Sequence, residues 1–163
     1  MALLTRKPSP ELLALAAGLA ALAVAHLAQY AGTVPCALCY LERWPYRIAA
    51  LLAAFGLAVD PARKAVRVLL LATLAAAAAL AFVHVGVEAG WWRSPLPECA
   101  APVLRTGSVH DLLASMPARP AKPCDDPTYL IPFLPISMAQ MNLLYALAIL
   151  VALSMSLRAG RTP

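Results

Sequence analysis

Cys36-Ala37-Leu38-Cys39-Tyr40-Leu41-Glu42-Arg43 sits where one hydrophobic segment has ended and the next begins. Two cysteines with two residues between them can close a small, reversible disulfide. At the start of a helix, unpaired N–H groups and the helix dipole favour a thiolate. Arg43 lies four residues beyond Cys39, on the same helix face, where its charge favours the Cys39 thiolate in particular. The stretch therefore reads as a redox centre at the lip of a membrane bundle.

Composition supports the membrane reading. Of 163 residues, 62% are hydrophobic and 13% charged, and the mean hydropathy is +0.74. A soluble domain has about 45–50% apolar and about 25% charged residues. The net charge of +5 comes from basic residues scattered near segment ends, with no basic run or aromatic-interleaved patch, so nucleic acid is not an expected partner. Four segments approach the roughly 20 residues needed to cross a bilayer. They run from about Glu11 to Tyr30, from Leu38 or Tyr40 to Val59, from Ala65 to Val87, and from Met138 to Leu157. The length suits one domain, and the expected fold is all-α, a four-transmembrane-helix bundle. Arg6 and Lys7 precede the first apolar run as in a signal peptide, but that run exceeds an h-region of about 7–15 residues, so a retained helix is expected.

The segment ends carry start signals. Ser9-Pro10-Glu11 offers an N-cap, a first-turn proline and an acid, and Asp60-Pro61 repeats the pattern. Ser137 with Gln140 forms a capping box. Trp44, Tyr46, Trp91 and Trp92 fall where interfacial aromatic belts form. Glu42 and Arg47 read as interfacial charges.

Four crossings put both termini and the loop Asp60–Lys64 on one side, together with Arg6, Lys7, Arg63, Lys64, Arg67, Arg158 and Arg161. That excess marks the cytoplasmic face. The Cys36 loop and the segment from about Ala89 to Pro135 then face outward, where disulfides persist. Four cysteines permit three pairings. Cys36 with Cys39 and Cys99 with Cys124 is favoured because it leaves one pair per loop. Nine prolines, from Pro95 to Pro135, exclude a long helix or central strand from the outer segment. One short amphipathic helix is expected from Val109 to Met116, capped by Ser108, with Leu112 and Leu113 in its apolar stripe.

Pro35-Cys36-Ala37-Leu38-Cys39-Tyr40-Leu41-Glu42-Arg43, Gly90-Trp91-Trp92, Cys99, Pro123-Cys124-Asp125 and Phe133-Leu134 with Ser137-Met138-Ala139 together resemble the disulfide bond formation protein B (DsbB) family. The resemblance covers nearly the whole chain. It implies a bacterial inner-membrane enzyme that reoxidises a periplasmic DsbA-like thiol oxidase and passes the electrons to a membrane quinone, ubiquinone or menaquinone. It also implies roles. Cys99 is attacked by the partner's thiol, and Cys124 passes electrons to the first pair, with Cys36 receiving. Cys39 reduces the quinone, and Arg43 sits beside it. Since DsbA-type oxidants stand near about −120 mV, a still stronger acceptor such as a quinone is expected.

Some family members carry a histidine near the outer end of the third helix. Gly86 falls near that register here, with His84 two residues earlier; His84 and Glu88, at i and i+4, can face the quinone pocket together, and an ordinary hydrogen-bonded membrane histidine is the other reading of His84. His26, deep in the first helix, reads as structural, and Tyr129 stands where relatives commonly have an indole. Vitamin K epoxide reductase is a related alternative, but there the loop pair precedes the CxxC. A non-catalytic protein with structural disulfides, or with a four-cysteine zinc site, is the remaining alternative. Zinc sites usually show two close-spaced pairs, whereas Cys99 and Cys124 are 25 residues apart, so no metal is expected.

Overall fold

The computed structural model describes residues 9–99, 108–110, 122–131 and 133–159. Among these residues it is all-helical, with four long helices: α1 (Pro10–Tyr30), α2 (Ala37–Ala58), α3 (Arg63–Glu88) and α4 (Met138–Ala159). Single 3-10 turns stand at Asp60–Ala62 and Pro97–Cys99. α1, α4 and the stretch Asp60–Glu88 that contains α3 are long and apolar enough to cross a membrane. α2 has the length, 22 residues, but Glu42, Arg43 and Arg47 dilute its first half.

The helices begin and end for local reasons. Ser9 caps α1 by accepting the Leu12 N–H at 3.2 Å, and Gly32, at φ +98°, turns the chain out of it. Gly90, at φ +71°, does the same after α3. The Ser137–Gln140 capping box forms in both directions, at 3.0 and 3.2 Å. Asp60 does not cap α3, against expectation. It pairs with Arg63, and a 3-10 turn leads directly into the helix.

Consecutive helices pack on one another, and a smaller α1–α4 contact closes the bundle. Small residues make this possible. At Gly18 an added Cβ would meet the Tyr46 carbonyl oxygen at 3.0 Å, so α1 and α2 approach backbone to backbone, as in small-residue membrane interfaces. The main apolar core joins Ala14, Ala49, Ala53, Leu70, Leu74 and Leu153. Leu51, Val68, Leu69, Leu144, Val151 and Met155 project outward, as lipid-facing residues do.

Only Val109 and His110 of the expected short helix are described, and both are helical. Leu112, Leu113 and Met116 lie outside the described residues, as do Arg6, Lys7 and Arg161.

Candidate active site

Cys36 is the N-cap of α2, and its sulfur accepts the backbone N–H of Cys39 at 3.2 Å. The two sulfurs share a hydrogen bond at 2.9 Å and are free thiols. The bond expected between them is not formed here, and the pair stands as a dithiol with its sulfurs in contact. The hydrogen bond with Cys39, together with the N–H it receives, holds the Cys36 thiol below its ordinary pKa against the opposing effect of burial. The sequence put the thiolate preference on Cys39. In the dithiol it falls on the capping sulfur, because that atom has the hydrogen bond with the Cys39 thiol and, in addition, receives the N–H at the helix start.

Cys99 and Cys124 form the expected disulfide. A 3-10 turn carries Cys99, and the Cys124 N–H donates to the Cys99 carbonyl at 3.2 Å. Both pack in one buried cluster with Cys36, Leu38 and Val87, at the end of the bundle where α2 begins and α3 ends. The two cysteine pairs are therefore neighbours.

On the other side of the CxxC, Cys39 lines a largely apolar cavity of about 280 Å³ between α1, α2 and α4, together with Glu42, Arg43, Tyr46, His84 and Asn142. Cys36 does not line it. Arg43 is only 6% exposed. It donates to Gln29 Oε1 at 2.9 Å and Ala25 O at 3.5 Å, and its guanidinium carbon lies 5.0 Å from the centre of the Tyr40 ring. Its Nε is buried without a hydrogen-bond partner. No hydrogen bond joins Arg43 to either sulfur among the described residues. Arg43 reaches across to α1, so what it offers the site is a cation at the cavity wall rather than a direct bond to the Cys39 thiol.

His84 connects the thiols to a buried polar chain. Its Nε2 is 3.5 Å from Cys36 Sγ, and its Nδ1 is 2.9 Å from Glu42 Oε1. Asn142 donates from Nδ2 to the other Glu42 oxygen at 2.9 Å, and the Tyr46 hydroxyl donates to Asn142 Oδ1 at 2.7 Å. With Glu42 accepting at Nδ1, the ring nitrogen facing Cys36 is the one able to accept its proton.

A protein-family model described as "Disulfide bond formation protein DsbB" matches residues 8–156. The chain belongs to the DsbB family. It is accordingly a disulfide oxidoreductase and, with its three apolar helices, a multi-pass membrane protein. No curated protein and no solved structure matches it.

Set against DsbB expectations, the structure redistributes several residues. Glu42 is buried at 7% exposure and is the hub of the polar chain, not an interfacial charge. Tyr46 is likewise buried, while Trp44, Trp91 and Trp92 are exposed. Arg47 stays outside, over the Trp44 ring at 5.3 Å. His84 faces the cavity as expected, but Glu88 turns away and accepts the Ser137 hydroxyl at the start of α4. Gly86 serves a different end. Trp92 covers it so closely that an added Cβ would lie 2.0 Å from the indole, whose Nε1 donates to Val83 O at 3.0 Å. His26 is exposed on α1, and Tyr129 is exposed as well. Asn142 was missed. An amide within an apolar helix was the available signal, since such a group needs a buried partner.

Proposed function

We propose that this single-domain protein is the quinone-dependent oxidase of a bacterial disulfide-forming pathway. It crosses the inner membrane four times, with α2 as the fourth span. Both termini are cytoplasmic, and the cysteine end faces the periplasm. The basic residues around Arg63, Lys64, Arg67 and Arg158 support that orientation. Its partner is a periplasmic DsbA-like thiol oxidase.

The observation that carries the reading is the two-sidedness of the CxxC. Cys36 belongs to the buried cluster that holds the Cys99–Cys124 disulfide, whereas Cys39 packs at the edge of that cluster and alone of the two also opens onto the cavity. A partner thiolate attacks Cys99, releases Cys124 and leaves with its own disulfide closed, so Cys99 and Cys124 hold two electrons. Cys124 then attacks Cys36 of the oxidised pair and releases Cys39. Closing Cys99–Cys124 again leaves Cys36 and Cys39 as thiols, the redox state seen here. Each exchange forms one S–S bond and breaks one.

The cavity fits a quinone head group. It is apolar and has the Cys39 thiol in its wall, and the buried, unpartnered Nε of Arg43 is the kind of orphaned donor that a carbonyl oxygen would satisfy. A bound ubiquinone or menaquinone supplies a two-electron, two-proton acceptor. Cys39 and Arg43 would hold it, with His84 positioned to accept the Cys36 proton.

The test is purified protein in detergent, given reduced DsbA-like partner and quinone. Partner disulfide and quinol should form together, one for one. Full activity in the Cys36→Ser, Cys39→Ser double variant would overturn the reading.

A further inference from the structure

Three donor atoms converge at the CxxC: the sulfurs of Cys36 and Cys39 and Nε2 of His84, all within 4.8 Å of one another. Cys36 and His84 are buried and Cys39 half-buried. From this geometry we propose that the dithiol form of the protein is a binding site for a thiophilic divalent cation, Zn2+ in the first instance, and that closing the Cys36–Cys39 disulfide abolishes it.

Two of the three spacings can be set against a tetrahedral site, and the third, from Cys39 Sγ to His84, lies within 4.8 Å. Tetrahedral zinc, with Zn–S about 2.3 Å and Zn–N about 2.0–2.1 Å, needs about 3.5 Å between sulfur and nitrogen and about 3.8 Å between sulfurs. Cys36 Sγ and His84 Nε2 already stand 3.5 Å apart. The sulfurs stand at 2.9 Å, so Cys39 Sγ must swing out by roughly 0.9 Å to reach that tetrahedral spacing. Its side chain lines the cavity and has room to do so.

The surroundings suit a metal as well. Ligating histidines usually give their second ring N–H to a carboxylate, which fixes the tautomer and strengthens the ligand. Glu42 holds that position against Nδ1 at 2.9 Å, and is itself held by Asn142. Two thiolates and an imidazole select borderline and soft cations over magnesium or calcium. Three protein ligands leave the fourth position to a water or small molecule from the cavity. This arrangement differs from the four-cysteine site weighed from sequence, because Cys99 and Cys124 are bonded to each other.

The reaction balances without a redox step. One Zn2+ enters, the two thiols lose two protons to solvent, and no electron moves. A zinc-bound pair cannot close its disulfide until the metal leaves, so the cation holds the enzyme in its reduced form.

The experiment uses the Cys99→Ser, Cys124→Ser variant in detergent, which leaves the CxxC as the sole cysteine pair, reduced with a phosphine and titrated with Zn2+ or Co2+. Neither partner nor quinone is present, so the outcome is independent of the electron-transfer reading above. One ion should bind per chain when reduced and none when oxidised, with up to two protons released. Co2+ should give a thiolate charge-transfer band in the near ultraviolet. His84→Ala should weaken binding at least tenfold and change the Co2+ spectrum. Glu42→Gln should weaken it by about tenfold with the ligand set unchanged. Circular dichroism checks that each variant keeps its helices. Failure of the reduced, folded protein to bind would overturn the proposal. So would equal binding when oxidised, or binding indifferent to His84→Ala.

Discussion

Two glutamates are buried in this bundle, and they are treated in opposite ways. Glu11, 1% exposed, is near the start of α1 and pairs with Arg67 of α3 at 2.7 Å. Glu42, near the start of α2, meets an imidazole and an amide. The guanidinium is a permanent cation, so the Glu11 pair has one charge state and acts as a bolt between helices. Imidazole, unlike guanidinium, is a group whose ordinary charge change falls near neutral pH. A carboxylate matched to a fixed charge holds structure, and one matched to a titratable group can take part in chemistry.

The contrast can be broken by substitution. The largest effect is expected at His84→Ala. Loss of the proton-accepting ring should cut turnover about a hundredfold, while the apparent melting temperature in detergent stays within a few degrees of wild type. A parallel loss of melting temperature would make the pair a second bolt. Next comes Arg43→Ala, which should raise the apparent KM for quinone about tenfold, the loss of roughly one charged hydrogen bond. Thiol exchange between the partner and Cys99–Cys124 should be untouched. An unchanged KM would remove Arg43 from the cavity's function. The smallest effect is expected at Glu11→Gln. The amide keeps a hydrogen bond to Arg67 but loses the charge, and Arg67 is 36% exposed, so stability should fall by only about 1 kcal/mol. Activity per folded molecule should not change.

Much of the bundle was legible in the sequence, because long apolar runs with capping signals have few alternatives. Ser9 and the Ser137–Gln140 box marked two helix starts correctly. α2 was harder to read. Its charges suggested an outer edge, and nothing local reveals that Glu42 and Arg43 turn inward to partners on three other helices, α1, α3 and α4. The cysteines were legible because their chemistry is written in spacing. The chain from His84 to Tyr46 was not, since it joins residues 42 to 100 positions apart in sequence. Asp60 misled for the opposite reason, a local capping signal overridden by a nearby arginine.

The Trp92–Gly86 stack also bears on kinetics. The indole is fixed over α3 and tied to Val83, and Cys99 follows only seven residues later. Seven residues reach about 25 Å at most, so a loop cysteine that swings out to a partner remains on a short leash. In the proposed relay, its return toward Cys36 is an intramolecular encounter at an effective concentration in the millimolar range. Anything larger than hydrogen at position 86 would unseat the indole and lengthen that leash. The glycine thus sets how crowded the CxxC finds its own substrate.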